Sequence, residues 1–151
     1  MIRVQPEPFD PAALLASFAA TCPQAGAIVS FVGLVRDMSD GETVSRLELQ
    51  QYPGFTERVV QAIADDARAR FDILCVAVVH RHGELAPGEP VVFVAAAAAH
   101  RRAAFDAVDY LMDRLKTDAP FWKREVGESG ARWIEARASD HSDRARWDGE
   151  A

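Results

Sequence analysis

The order of apolar patterns along these 151 residues predicts an α+β domain. Three observations lead there. Segments of helical and strand period follow one another as one helix and then two strands, repeatedly. The two most apolar runs, Ile73 to Val79 and Val91 to Ala98, are separated only by HRHGELAPGEP, which is too short for a crossover helix, so they pair antiparallel. The length suits one domain, or one domain with a small lobe, and no linker, repeat or low-complexity tract divides it.

Asp10-Pro11 reads as an N-cap with proline at the first helical position, opening a short helix with Leu14, Leu15 and Phe18 that ends near Ala20. Gly26 to Val35 (GAIVSFVGLV) is β-branched and apolar and reads as a buried strand. DMSDGE, from Asp37 to Glu42, carries a D-G turn signal. Val44 to Tyr52 alternates as a half-buried strand does, and Pro53-Gly54 breaks it. Thr56 to Phe71 places Val59, Val60, Ile63, Ala67 and Phe71 close to i, i+3, i+4 spacing, with Arg58, Asp65, Asp66 and Arg68 mostly outside. After the antiparallel pair a second helix runs from about Arg101 to Lys116, with Ala104, Val108, Leu111, Met112 and Leu115 on one face. Trp122 to Val126 and Ala131 to Ala136 read as short strands across a G-E-S-G turn, and a polar, flexible tail follows from Ser139.

Composition excludes whole classes. The hydrophobic fraction of 49% and charged fraction of 26% are those of an ordinary globular protein. A net charge of −6 argues against a general nucleic-acid or anionic-membrane binder, since both need a basic face. Cys22 and Cys75 form no C-x-x-C pair and read as two reduced thiols, at least one of them buried. No basic and apolar leader opens the chain, and the longest apolar run, Val91 to Ala99, is too short to span a bilayer. The expected location is the cytoplasm. His80-Arg81-His82 lacks partners at a recognised metal spacing, so no metal site is expected, and no phosphate-loop, dinucleotide or nucleophile-elbow motif is present.

Two places break local rules. In VAAAAAHRRAAF, a strand of small residues runs into a helix whose first residues are His100, Arg101 and Arg102. Cations are unfavourable at a helix N-terminus, and an anionic ligand resolves the conflict, as does pairing with acids such as Asp106. In LKTDAPFWKREV, Lys116 and Lys123 flank the apolar corner Ala119-Pro120-Phe121-Trp122. Lys116 at a helix C-terminus needs no function, and Trp122 is more often core than platform. His100 and Lys116 stand about 15 residues apart on one helix, roughly 22 Å at 1.5 Å per residue, so they do not meet within it. A long ligand, a broken helix or a symmetric partner would each join them.

Taken in order, FVGLVRD, QYPGFTE, VVHRHGELAPGE, AAAHRRAAFDA, YLMDRLKTDAPFWKRE and RWIEAR closely resemble the catalytic (large) subunit family of molybdopterin synthase. The blocks span roughly Gly26 to Arg137. Departures are confined to Gln50-Gln51, where many members carry an acid or histidine, and Phe55, where methionine is common. The resemblance implies an α/β hammerhead-type core with an additional antiparallel β subdomain over residues 1–138, ahead of the tail at 139–151. It implies a sulfurtransferase without a cofactor. Cyclic pyranopterin monophosphate becomes molybdopterin, with sulfur supplied by the C-terminal Gly-Gly thiocarboxylate of a small ubiquitin-like carrier subunit. It further implies a homodimer of large subunits within a heterotetramer.

The site residues implied are residue-specific. Lys116 matches the essential catalytic lysine, in a covalent link to the carrier or as acid/base, and Lys123 a second acid/base or an anion clamp. Pro120-Phe121-Trp122 would fix their separation. Leu34, Val35, Arg36, His100, Arg101, Arg124 and Glu125 match substrate-pocket positions, and Arg137 matches an arginine contributed by a neighbouring subunit. A pterin-binding module without chemistry, or a scaffold for the carrier alone, would share the pocket but not the turnover.

Overall fold

In the computed structural model, which describes residues 1–149, two sheets and four helices divide the work of core and site. The first sheet has the order β1 (Ile2–Gln5), β5 (Cys75–Arg81), β7 (Pro90–Ala98), β2 (Ala27–Leu34). β1 runs parallel to β5, and the other pairs are antiparallel. Between these strands in sequence lie α1 (Pro11–Thr21) and α2 (Phe55–Arg70), and after them α3 (Arg101–Thr117). Asp10 caps α1 as its position predicts, its carboxylate accepting from the Ala12 and Ala13 N–H groups, with Pro11 at the first turn.

Alternation along β5 and β7 sorts the core into two layers. Val76, Val78, Val92, Val94 and Ala96 face α2 and α3, while Ala77, Val79, Phe93, Ala95 and Ala97 face Phe18 and Cys22 of α1. Both faces are covered, which is why these strands read as unbroken apolar runs rather than alternating ones. Each fully buried valine here contributes about 1.5–3 kcal/mol. The small residues Ala95 to Ala98 let the helices approach closely on both sides.

The second sheet is the expected antiparallel subdomain: β3 (Met38–Ser39), β4 (Glu42–Gln51), β8 (Phe121–Gly127) and β9 (Gly130–Ile134), with β6 (Gly83–Leu85) also paired to β4. The D-G signal makes a two-residue hairpin between Ser39 and Glu42, with Asp40 at φ 51° and Gly41 at φ 84°. The α+β reading with an added antiparallel subdomain holds.

Four details differ from the sequence reading. β2 is an edge strand, so Phe31, Val32 and Leu34 are exposed rather than buried. The short strands β1 and β6 carry too few residues for a pattern to show. Cys22 and Cys75 are not free thiols: α1 ends against the start of β5 with their Cα atoms 6.6 Å apart, and the two form a disulfide. The segment from Ser139 is not a flexible tail over its described part. α4 (Ala138–Ala145) docks on α3, where Arg146 and the Trp147 indole N–H reach Asp113 at 2.8 and 2.7 Å. Trp147 also sets its ring edge-on to Phe71 and Tyr110. Glu150 and Ala151, which that expectation also covered, lie outside the described residues.

Because Trp147 closes one side of the main core, Trp147→Ala is expected to cost about 2 kcal/mol, below the range for fully buried aromatic truncations. Urea melts measure this directly, and an unchanged midpoint would mean that the C-terminal segment contributes nothing to the fold.

Candidate active site

The corner between α3 and β8 is fixed from several directions. Lys116 lies in the last turn of α3, where a cation suits the carbonyl end of the helix. The Thr117 hydroxyl donates to the Asp113 carbonyl at 2.8 Å, and the carboxylate of the C-cap, Asp118, receives Arg114 at 2.5 Å and Arg144 at 3.0 Å. The Thr56 hydroxyl reaches the Pro120 carbonyl at 3.4 Å. β8 then alternates. Phe121, Lys123 and Glu125 point into a cleft, while Trp122 turns away and packs edge-on against Tyr52, with ring centroids 4.5 Å apart.

The cleft has a volume of about 660 Å³. Its walls are the end of β2 with Arg36, the last turns of α3, β8, and the strap from Ile134 to Asp140. Lys116 Nζ donates to Asp140 Oδ1 at 3.1 Å, and Asp140 Oδ2 accepts from the Arg137 backbone N–H at 2.9 Å. Burial would push the Asp140 carboxyl up, but the Arg137 N–H and the two lysine charges outweigh it and hold it below its ordinary value. Lys123 has its pKa lowered, first by burial and then by the charge of Lys116, with Asp140 partly compensating. Glu125 is held by Arg132 at 3.1 Å.

His80 completes the inner wall. Its ring stacks on Phe121, with centroids 3.9 Å apart and planes 15° from parallel. The cleft thus joins two amines of unequal environment, two arginines, carboxylates and a buried imidazole. It offers a site for anionic ligands with a proton acceptor beside them.

Residues 4–118 match the model of the family described as MoaE protein. Over 151 residues the chain is 49% identical to the molybdopterin synthase catalytic subunit of Caulobacter vibrioides, covering 100% of this chain and 99% of that one. The catalytic subunit of Escherichia coli is 50% identical over 122 residues, 81% of each chain. Among solved structures, the MoaE protein from Burkholderia ambifaria superposes with a TM-score of 0.84 at 44% identity over 99% of both chains. Molybdopterin synthase from Staphylococcus aureus gives 0.81 at 28% identity, covering 88% of this chain and 96% of that one. The chain belongs to the MoaE family. Its named relatives are catalytic subunits of molybdopterin synthase, so the cleft belongs to an enzyme.

Within this MoaE chain, Leu34, Val35, Arg36, Lys116, Lys123, Glu125 and Arg137 all line the one cleft. Arg137 lines it within its own chain, with Asp40 4.0 Å away. Three expected residues do not reach it. Arg124 has the opposite parity on β8, where it donates to Glu48 at 2.8 Å and covers the face of Trp133. His100 is the N-cap of α3 and Arg101 its first residue, at the far end of that helix from Lys116. Among the described residues Arg102 makes a long i,i+4 contact with Asp106, at 3.9 Å. Among the cleft residues outside the expected set, His80 and Asp140 carry the closest contacts to the lysine pair and to Phe121. His80 stands in the HRH triplet, which the sequence alone offers only as a set of metal ligands without partners. Asp140 follows Arg137 by three residues, the spacing of a capping acid at a helix start.

Burial first, and then the Lys123 and His82 charges, lower the His80 pKa from 6.5 to about 4, against the Arg81 carbonyl, which raises it. Between these values the unfolded chain binds a proton at His80 that the folded chain does not. Stability from this group is therefore fully present above pH 6.5 and lost as the pH falls through about 4, on the order of 3 kcal/mol in all. Thermal melts across that window should fall more steeply for the wild type than for His80→Phe, and parallel profiles would show that His80 is not buried neutral.

Proposed function

We propose that this enzyme converts cyclic pyranopterin monophosphate to molybdopterin, taking sulfur from the C-terminal thiocarboxylate of a small ubiquitin-like carrier, in the cytoplasm. One observation carries the proposal: Lys116 and Lys123 share a cleft with Arg36 and Arg137. A cyclic phosphate and a carrier terminus are both anions, and converging cations neutralise them. The unequal surroundings of the two lysines suit separate roles. Lys123, desolvated and beside a like charge, supplies the amine that accepts and returns protons on the pterin side chain. Lys116, ion-paired to Asp140, supplies a charge that passes to the incoming anion when that pair opens. For each sulfur delivered, the thiocarboxylate sulfur bonds to a side-chain carbon of the pterin as a C–O bond at that carbon breaks and its oxygen leaves, as water or on the phosphate. Water then adds to the carrier's acyl carbon, the carrier's C–S bond breaks, and the carrier leaves as a carboxylate.

His100 and Arg101 enter this scheme through a second copy of the chain. They lie at the far end of α3 from the lysines, and the exposed apolar edge formed by Phe31, Val32 and Leu34 offers a surface for such pairing. The heterotetramer then has two large subunits at its centre and a carrier at each end.

A single-turnover assay tests the proposal. The protein is mixed with thiocarboxylated carrier and cyclic pyranopterin monophosphate, and molybdopterin is followed. Lys116→Ala and Lys123→Ala are each expected to lower the rate by about 100-fold or more with unchanged melting curves. Wild-type turnover in either variant would remove that lysine from the mechanism, and tight carrier binding without product from the wild type would leave only a scaffold.

A further inference from the structure

His80 is 6% exposed and lines the cleft. Its Nδ1 lies 2.8 Å from the Arg81 carbonyl oxygen. A carbonyl can only accept, so Nδ1 carries the hydrogen, and in a neutral ring Nε2 is left as a lone-pair acceptor. Nε2 has no hydrogen-bond partner among the described residues. Nε2 is not among the fully buried unpartnered atoms, so it is reachable from the cleft that His80 lines, where a ligand donor can meet it.

The surroundings narrow what that acceptor can receive. Much of the cleft wall is apolar, Val92, Met112, Leu115 and Phe121 among it, and Phe121 closes one face of the imidazole. Of the charged side chains on the wall, Lys123 stands near enough for its charge to act on the imidazole, and among the described residues Ser139 is the only other neutral polar side chain lining the cleft. An apolar pocket with one neutral acceptor fits a flat heterocycle that presents a ring N–H, whereas an anionic group is served by Arg36, Lys116, Lys123 and Arg137.

Resting on the function proposed above, we infer that His80 Nε2 accepts a hydrogen bond from a ring N–H of the pterin and so orients the heterocycle while the lysines act on its side chain. His80 is then a specificity-determining residue, fixed through the backbone carbonyl of Arg81 and the ring of Phe121. Removing the acceptor leaves the ligand N–H unpaired in an apolar wall, and the loss appears in binding.

Equilibrium titration of cyclic pyranopterin monophosphate, followed by pterin fluorescence, is compared for wild type, His80→Gln and His80→Met. Glutamine keeps a carbonyl acceptor, and methionine has nearly the same length without one. His80→Met is expected to weaken pterin binding about 10-fold or more, and His80→Gln to recover part of that loss. In turnover the same variant should raise KM more than it lowers kcat, with carrier affinity by calorimetry unchanged. Equal pterin binding by the Gln and Met variants, or a loss of carrier rather than pterin affinity, overturns the inference while leaving the wider function standing. A wild type that binds no pterin phosphate overturns both.

Discussion

Two ammonium groups held next to each other, one of them away from water, is the constraint around which the cleft is built. Lys123 is placed where a charge is poorly solvated and where the charge of Lys116 adds to the penalty. Left to itself such a pair would separate or draw in water. It persists because Lys116 ends a helix whose C-cap is tied by Arg114 and Arg144, and because Lys123 sits within a strand paired on both sides. Asp140 offsets part of the repulsion from across the cleft. The energy of that arrangement is supplied by the valine and alanine core behind it.

The Pro120-Phe121-Trp122 corner explains how one short stretch serves both sides of a sheet. Phe121 turns inward to stack on His80, Trp122 turns outward onto Tyr52, and Lys123 turns inward again. The same alternation sends Arg124 to Glu48, whose carboxyl is held below its ordinary value by Arg124 and then Arg46. That pair braces the outer face of β4 and β8, so the basic residue next to Lys123 is structural within this chain.

Much of this was legible in the sequence. Asp10-Pro11, the Asp40-Gly41 turn and the doubly covered runs of β5 and β7 each follow from local chemistry. The parity of β8 was also readable, and applied strictly it would have set Arg124 apart from Lys123. Other features were hidden because they depend on partners distant in sequence. An apolar run does not say whether a strand ends up central or at an edge, so β2 reads as buried although it lies at the edge. Polar composition at Ser139 to Gly149 concealed a docked helix, because what holds it is the match of Arg144 and Arg146 to Asp118, Asp109 and Asp113 on another helix. The role of His80 depends on the Arg81 carbonyl and the ring of Phe121, and neither contact can be read from the HRH triplet.

The most direct measurement is the titration of the Lys123 amine by heteronuclear NMR on lysine-labelled protein, with and without Lys116→Ala. The account predicts a Lys123 pKa below the ordinary lysine value of 10.5 and a rise toward it when the Lys116 charge is removed. An unshifted Lys123, indifferent to Lys116, would contradict it.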